Sequence, residues 1–238
     1  YLAAHQEVAP GIELSADVRY GFRKVKALAF GAISSFSVGR NNPYFVSPNG
    51  AATNQVQYAF AGLAGLRPNI AGVESLAVTA GAQADLFGDW RLDAYGAFAQ
   101  EITENRQSGG VHARILAEAL GNIPDDPATA YSAARDGFFN PFDATGAGNS
   151  AATIAAITSG FSYSRYRGRV SSANLEADGT LFRLPGGPVQ LAVGGQLRRE
   201  SFRSQGANYS SRPEPVPTAL FDRDRLARFL DRIALQQF

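Results

Sequence analysis

The chain of 238 residues has no cysteine, no methionine, one tryptophan and two histidines. Without cysteine there is neither a disulfide framework nor a thiolate metal site. His5 and His112 stand far apart in sequence with no carboxylate at ligand spacing, so no metal is expected. Charge of one sign is also lacking: 22 basic side chains balance 21 acidic ones, for a net charge of +1. Nucleic acid is therefore not signalled as a partner. Only Lys24 and Lys26 are lysines, so arginine supplies nearly all the positive charge. No stretch approaches the roughly 18 apolar residues of a spanning helix. There is no charged-then-apolar leader and no methionine at position 1, so the chain is expected to be part of a longer polypeptide.

Signatures of catalysis are missing too. There is no Gly-x-Ser-x-Gly elbow and no histidine placed to serve a nucleophile. Asp125-Asp126 and Asp222/Asp224 lack the alternating acidic loop with a central glycine that holds calcium. Gly146 and Gly148 precede a helical stretch, but no βαβ unit surrounds them to make a phosphate site. The expectation is no enzyme, no catalytic residue and no cofactor.

What the chain does have is strict alternation. Ile12, Leu14, Ala16, Val18, Tyr20 and Phe22 oppose Glu13, Ser15, Asp17, Arg19, Gly21 and Arg23. A period of two puts the sets on opposite faces of a strand. Leu76, Val78, Ala80, Ala82, Ala84 and Leu86 oppose Ala77, Thr79, Gly81, Gln83 and Asp85. Trp90, Leu92, Ala94, Gly96 and Phe98 oppose Arg91, Asp93, Tyr95, Ala97 and Ala99. Ala173, Leu175, Ala177 and Leu181 oppose Ser172, Asn174, Glu176, Asp178 and Thr180. Val189, Leu191, Val193, Gly195 and Leu197 oppose Gln190, Ala192, Gly194, Gln196, Arg198 and Glu200. Strands in soluble sandwiches run about 5–6 residues, whereas a tilted transmembrane strand needs roughly 9–11. Length favours the bilayer over the sandwich.

The connections are asymmetric. Leu86-Phe87-Gly88-Asp89-Trp90 and Leu184-Pro185-Gly186-Gly187-Pro188 are short reversals, while the other links are long. Short turns on one side and long loops on the other describe an outer-membrane barrel. The expected fold class is all-β: an antiparallel transmembrane β-barrel segment with long external loops carrying short helices. Spanning strands are expected near 12–23, 74–86, 90–101, 161–180 and 189–200, and external loops at 24–72, 102–160 and 201–238. Leu2–His5 would end an earlier strand. Alternation around Val56, Tyr58 and Phe60 is then a hairpin arm inside the first loop. Helical stretches are expected at 112–120 and 150–158, and 219–235 reads as a further loop helix. Tyr20, Phe22, Phe98, Phe161 and Tyr163 fall at one end of these strands and Phe87, Trp90 and Phe182 at the other, as two aromatic girdles would. Five or six strands cannot close a barrel, whose minimum is about eight.

The segment from Leu184 to Glu200 resembles a barrel hairpin of TonB-dependent outer-membrane receptors of Gram-negative bacteria. Gly137-Phe138-Phe139-Asn140-Pro141-Phe142 resembles the loop that precedes it, and Ile12–Arg23 and Leu86–Tyr95 match earlier strands in style. The resemblance implies an interior segment of a barrel of about 22 strands, located in the bacterial outer membrane. It further implies active import of a scarce nutrient such as a siderophore, cobalamin or oligosaccharide. Implied partners are outer-membrane lipid and lipopolysaccharide, the remainder of the receptor including its plug, TonB acting through the N-terminal part, and a small solute. The plug domain is absent from this sequence. A passive channel or a structural surface barrel without energised transport is the alternative.

Outgoing strands would deliver Arg19, Arg23, Tyr95, Glu101, Arg198 and Glu200 to the outer mouth on the polar face. Tyr166 would enter at similar depth, and Phe138 and Phe139 would hang from the loop. These are the candidate ligand-binding residues, since guanidinium forks and aromatic faces suit carboxylates, catechol-type chelates and sugar rings alike. The basic, aromatic run Tyr163–Arg169 reads as a structural rim, or as a contact for lipopolysaccharide phosphates or an anionic solute.

Overall fold

The computed structural model describes residues 1–29, 32–143, 145, 147–214 and 216. It is an all-β chain built on one six-stranded antiparallel sheet, which does not close into a barrel. The strands are β1 (Leu2–Ala9), β2 (Ile12–Ala29), β5 (Arg67–Asp85), β6 (Arg91–Gly110), β7 (Gly160–Leu184) and β8 (Gly187–Asn208), in the order β1-β2-β5-β6-β7-β8. A separate hairpin pairs β3 (Ile33–Gly39) with β4 (Thr53–Ala59). Among the described residues there are also four short helices: α1 (Ala61–Ala64), α2 (Ala113–Ala119), α3 (Ala133–Asp136) and α4 (Ala151–Ile157).

Strands outrun the alternation. Residues 24–29, 67–72, 102–110 and 201–208, read above as loop, are strand. In 102–110 and 201–208 both faces are largely polar, as in Thr103-Glu104-Asn105-Arg106, so no period of two is visible although the strands continue. β1 is a full strand in register with β2, Leu2 opposite Val18 and Glu7 opposite Glu13, with an irregularity before Ala9. Three connections are short, and Gly11 and Gly88 turn two of them at φ +72° and +68°. That region is costly for residues with a Cβ. The stretch 219–235 lies outside the described residues.

The chain divides into two compact units. The first comprises Tyr1–Val25, Ala71–Asn105 and Ser164–Gln205. Between β6 and β7 its faces follow the alternation without slippage. Trp90 covers Gly179, Gln100 Oε1 accepts from Arg169 Nε at 2.8 Å, and both strands advance equally between these contacts. No bulge intervenes. Among its described residues only Gly179 is buried. Leu14 is 44% exposed, Val193 52% and Leu197 78%. Leu14, Val18, Leu76, Leu92, Leu191 and Val193 therefore line no closed core, and the sandwich alternative fails on that point.

The second unit comprises Lys26–Ile70, Arg106–Tyr163 and residues from Gly206 onward. All the buried core of the described residues lies here: Val38, Tyr58, Phe60, Ile115, Leu116, Ala119, Leu120, Tyr131, Phe139, Ile154 and Ile157. Phe60 and Phe139 stack at 5.5 Å, and Tyr58 meets Phe139 edge-on at 5.2 Å. The helices are defined by their ends. His112 Nδ1 accepts from Ile115 N at 3.2 Å to cap α2, and Gly121 follows it at φ +73°. Ser150 Oγ accepts from Thr153 N at 3.0 Å to cap α4. Such caps satisfy amides that the helix itself cannot.

Candidate functional site

The polar residues of the alternating stretches in the first unit share one face, and that face is concave. Five strands contribute to a trough of about 830 Å³: Arg19 and Gly21 from β2, Ser75 and Ala77 from β5, Ala99 and Glu101 from β6, Gly168 and Val170 from β7, Glu200 and Phe202 from β8. Each of these pairs flanks a residue of opposite parity, so the trough opens on the polar side only. A flat sheet would leave no such volume. The curl toward the polar face has the sense that barrel closure requires.

The walls are chemically mixed. Arg19 Nε lies 3.3 Å from Asp17 Oδ1, and its guanidinium sits 5.6 Å from the Tyr1 ring centroid. Arg198 Nη2 reaches Glu200 Oε1 at 2.5 Å. Glu101 has no ion-pair partner among the described residues. Tyr166 and Phe202 stack at 6.1 Å with ring planes 16° apart, which places a flat aromatic wall on β7 and β8. Such a surface can hold a polar or amphipathic solute by guanidinium, carboxylate and ring contacts at once. Nothing in it resembles a nucleophile with its base.

The structure distributes the nine candidate residues unevenly. Arg19, Glu101 and Glu200 line the trough. Arg198 joins through Glu200, and Tyr166 through Phe202. Tyr95 and Arg23 share the polar face of their strands but do not line the trough. Tyr95, an exposed side chain, instead stands with its Cβ next to Gly81, which also faces Ser15. Phe139 is corrected: it does not hang toward a ligand but is fully buried in the core of the second unit, where its carbonyl accepts from Asn42 Nδ2 at 2.9 Å. Its neighbour Phe138 is half-buried. Phe202 and Ser75 were missed. The apolar/polar contrast of β8 ends at Glu200, and one further step of two residues reaches Phe202.

Other motifs have structural employment. His5 does have a carboxylate, Glu13 at 3.1 Å, reached diagonally across the β1–β2 pair. His112 Nε2 meets the Arg212 carbonyl at 2.8 Å. Asp125 accepts from Ser132 Oγ and Ala133 N, and Asp126 pairs with Arg114. Asp143 accepts from Gly148 N and Thr145 N in a local turn. Among the described residues no three metal-ligating side chains gather. Asp222 and Asp224 lie outside the described residues. No family model matches this chain, and no curated protein matches it significantly.

Proposed function

We propose that this chain is part of the barrel of a TonB-dependent outer-membrane transporter that imports a scarce nutrient. One observation carries the reading. The first unit is a curled sheet with a chemically mixed concave face, an opposite face that is apolar along the alternating stretches and lies open, and no buried core. Burial of apolar area is the main driving force for folding in water, yet in this unit Val18, Leu76, Val78 and Leu92 are only part-buried and no side chain is closed into a core. A sheet of that kind is stable where its apolar face meets lipid and further strands complete the ring. Strands of 18 to 25 residues, as in β2 and β7, exceed what a crossing needs.

Within that reading the trough faces the lumen and is the part of this chain that meets the solute. Its mixture of Arg19, Glu101, Glu200 and the Tyr166–Phe202 wall suits a polar, ring-bearing cargo, a class that includes siderophores, cobalamin and oligosaccharides. The plug and the segment gripped by TonB belong to the remainder of the receptor, and lipopolysaccharide is the surrounding partner. No catalytic step and no resident cofactor are assigned.

The test is uptake by intact cells. Strains with and without the full-length protein, and with and without TonB, are supplied with a limiting iron chelate, cobalamin or an oligosaccharide. Growth that needs both proteins on one of these nutrients supports the transporter. Uptake that persists without TonB replaces it with a passive channel, and uptake indifferent to the protein with a structural barrel.

A further inference from the structure

The face of β7 and β8 opposite the trough carries a second concentration of chemistry. Arg165, Arg167 and Arg169 alternate along β7 on the face that holds Gly179 and Trp90. The contacts of Arg165 with Glu104 at 3.3 Å and of Arg169 with Gln100 at 2.8 Å fix that parity. Arg203 on β8 shares it, because Phe202 turns to the trough. The charges of Arg165, Arg169 and Arg203 all act on Arg167. Arg165 has its carboxylate and Arg169 its amide, but Arg167 and Arg203 have no acidic partner among the described residues.

Like charges on neighbouring strands destabilise a sheet. The cluster is therefore poised for an anion, and guanidinium forks bind phosphate oxygens in a bidentate manner. The same face continues directly into apolar side chains: Ala173, Leu175 and Ala177 on β7, Leu197 and Val193 on β8. Leu175 and Leu197 are 54% and 78% exposed. Four residues of strand separate Arg169 from Ala173, about 13 Å, the scale of a headgroup above its acyl chains. A free anion would use the arginines and ignore the leucines.

We propose that Arg167 and Arg203, flanked by Arg165 and Arg169, bind the phosphate of a phosphorylated glycolipid whose acyl chains lie along Leu197, Leu175 and Val193. This rests on the membrane reading above and adds to it a specific lipid site on the outer face.

The full-length protein, folded in detergent micelles, is titrated with diphosphorylated lipid A and with the same lipid after phosphate removal, binding being followed by native mass spectrometry. Heat-modifiable migration in gels reports folding in parallel. The parent should bind the phosphorylated lipid at least about tenfold more tightly than the dephosphorylated one. The Arg167→Gln/Arg203→Gln variant should lose that preference while Arg167→Lys/Arg203→Lys keeps part of it. Equal binding of both lipids by the folded parent overturns the site, whether or not any variant folds. Undiminished preference in a folded glutamine variant overturns it too. A parent that shows no heat-modifiable form in any detergent or lipid sinks the membrane reading itself, and this site with it.

Discussion

The indole of Trp90 covers the bare backbone of Gly179 on the neighbouring strand. A Cβ at Gly179 would fall 2.5 Å from Trp90 Cγ. Trp90 Nε1 donates to the Thr180 carbonyl at 3.1 Å, and Asp89 accepts from Thr180 N at 3.0 Å. One end of the β5–β6 turn is thereby fastened to β7. The Gly179→Val substitution should expel the ring and cost about 1–3 kcal/mol, as overpacking does. Trp90→Ala should cost a similar amount, and the double variant little more than either, because the two act through one contact. Urea unfolding of the folded protein in lipid measures all three.

The two faces of β8 should respond differently to charge. Val193→Arg places a guanidinium on the apolar face and should cost roughly 2–4 kcal/mol near the bilayer midplane. Gly194→Arg adds its charge to the polar face, where a Cβ would meet the Leu175 carbonyl at 3.0 Å and Glu176 at 3.4 Å. Its cost should be steric and insensitive to lipid thickness. Folding in bilayers of differing chain length separates the two effects.

The trough predicts a local effect on cargo. Removing the aromatic wall with Tyr166→Ala and Phe202→Ala should weaken binding of the imported solute about three- to tenfold, the range for an aromatic contact. Arg198→Ala should act less, since its guanidinium is engaged by Glu200. Affinity measured on the intact receptor is the readout. Unchanged affinity with normal folding removes this face from the solute path.

Acid should loosen two joints. Hydrogen bonds from the Thr180 side chain and backbone hold the Asp89 carboxyl below the usual carboxylate range, and the Arg135 side chain, then the Ser132 amide, do the same for Asp136. A carboxyl depressed in the folded state stabilises fully above its unfolded value, about 4. That contribution fades as pH falls through the lower folded value. Stability should therefore be flat above about pH 5 and decline below about pH 4. Asp89→Asn and Asp136→Asn should each flatten part of the decline in a pH series of unfolding midpoints.

The sequence disclosed most where the two faces of a strand differ in polarity. Val189 to Glu200 alternates because one side is polar and the other apolar, and both faces and the turn before it could be read directly. β6 beyond Glu101 could not be read, since Thr103, Glu104, Asn105 and Arg106 carry no such contrast. The helices at Ala113–Ala119 and Ala151–Ile157 were visible through Gly121 and Ser150, which mark their ends. Phe139 misled because an aromatic in a glycine- and asparagine-rich loop reads as exposed. Its burial depends on Phe36, Tyr58 and Phe60, more than 70 residues away in sequence. The trough was half legible: parity selected Arg19, Glu101 and Glu200, but which strands meet, and so which residues share one space, is a property of pairing.

Whether the apolar face meets lipid is the question beneath all the rest, and the lack of any cysteine in the chain makes it direct to ask. Val193→Cys and Gln196→Cys, on opposite faces of β8, are labelled with bimane in the full-length protein and reconstituted with brominated phospholipid. The account predicts strong quenching at position 193 and almost none at 196. Equal quenching at both, or none at 193 in the folded protein, would contradict it.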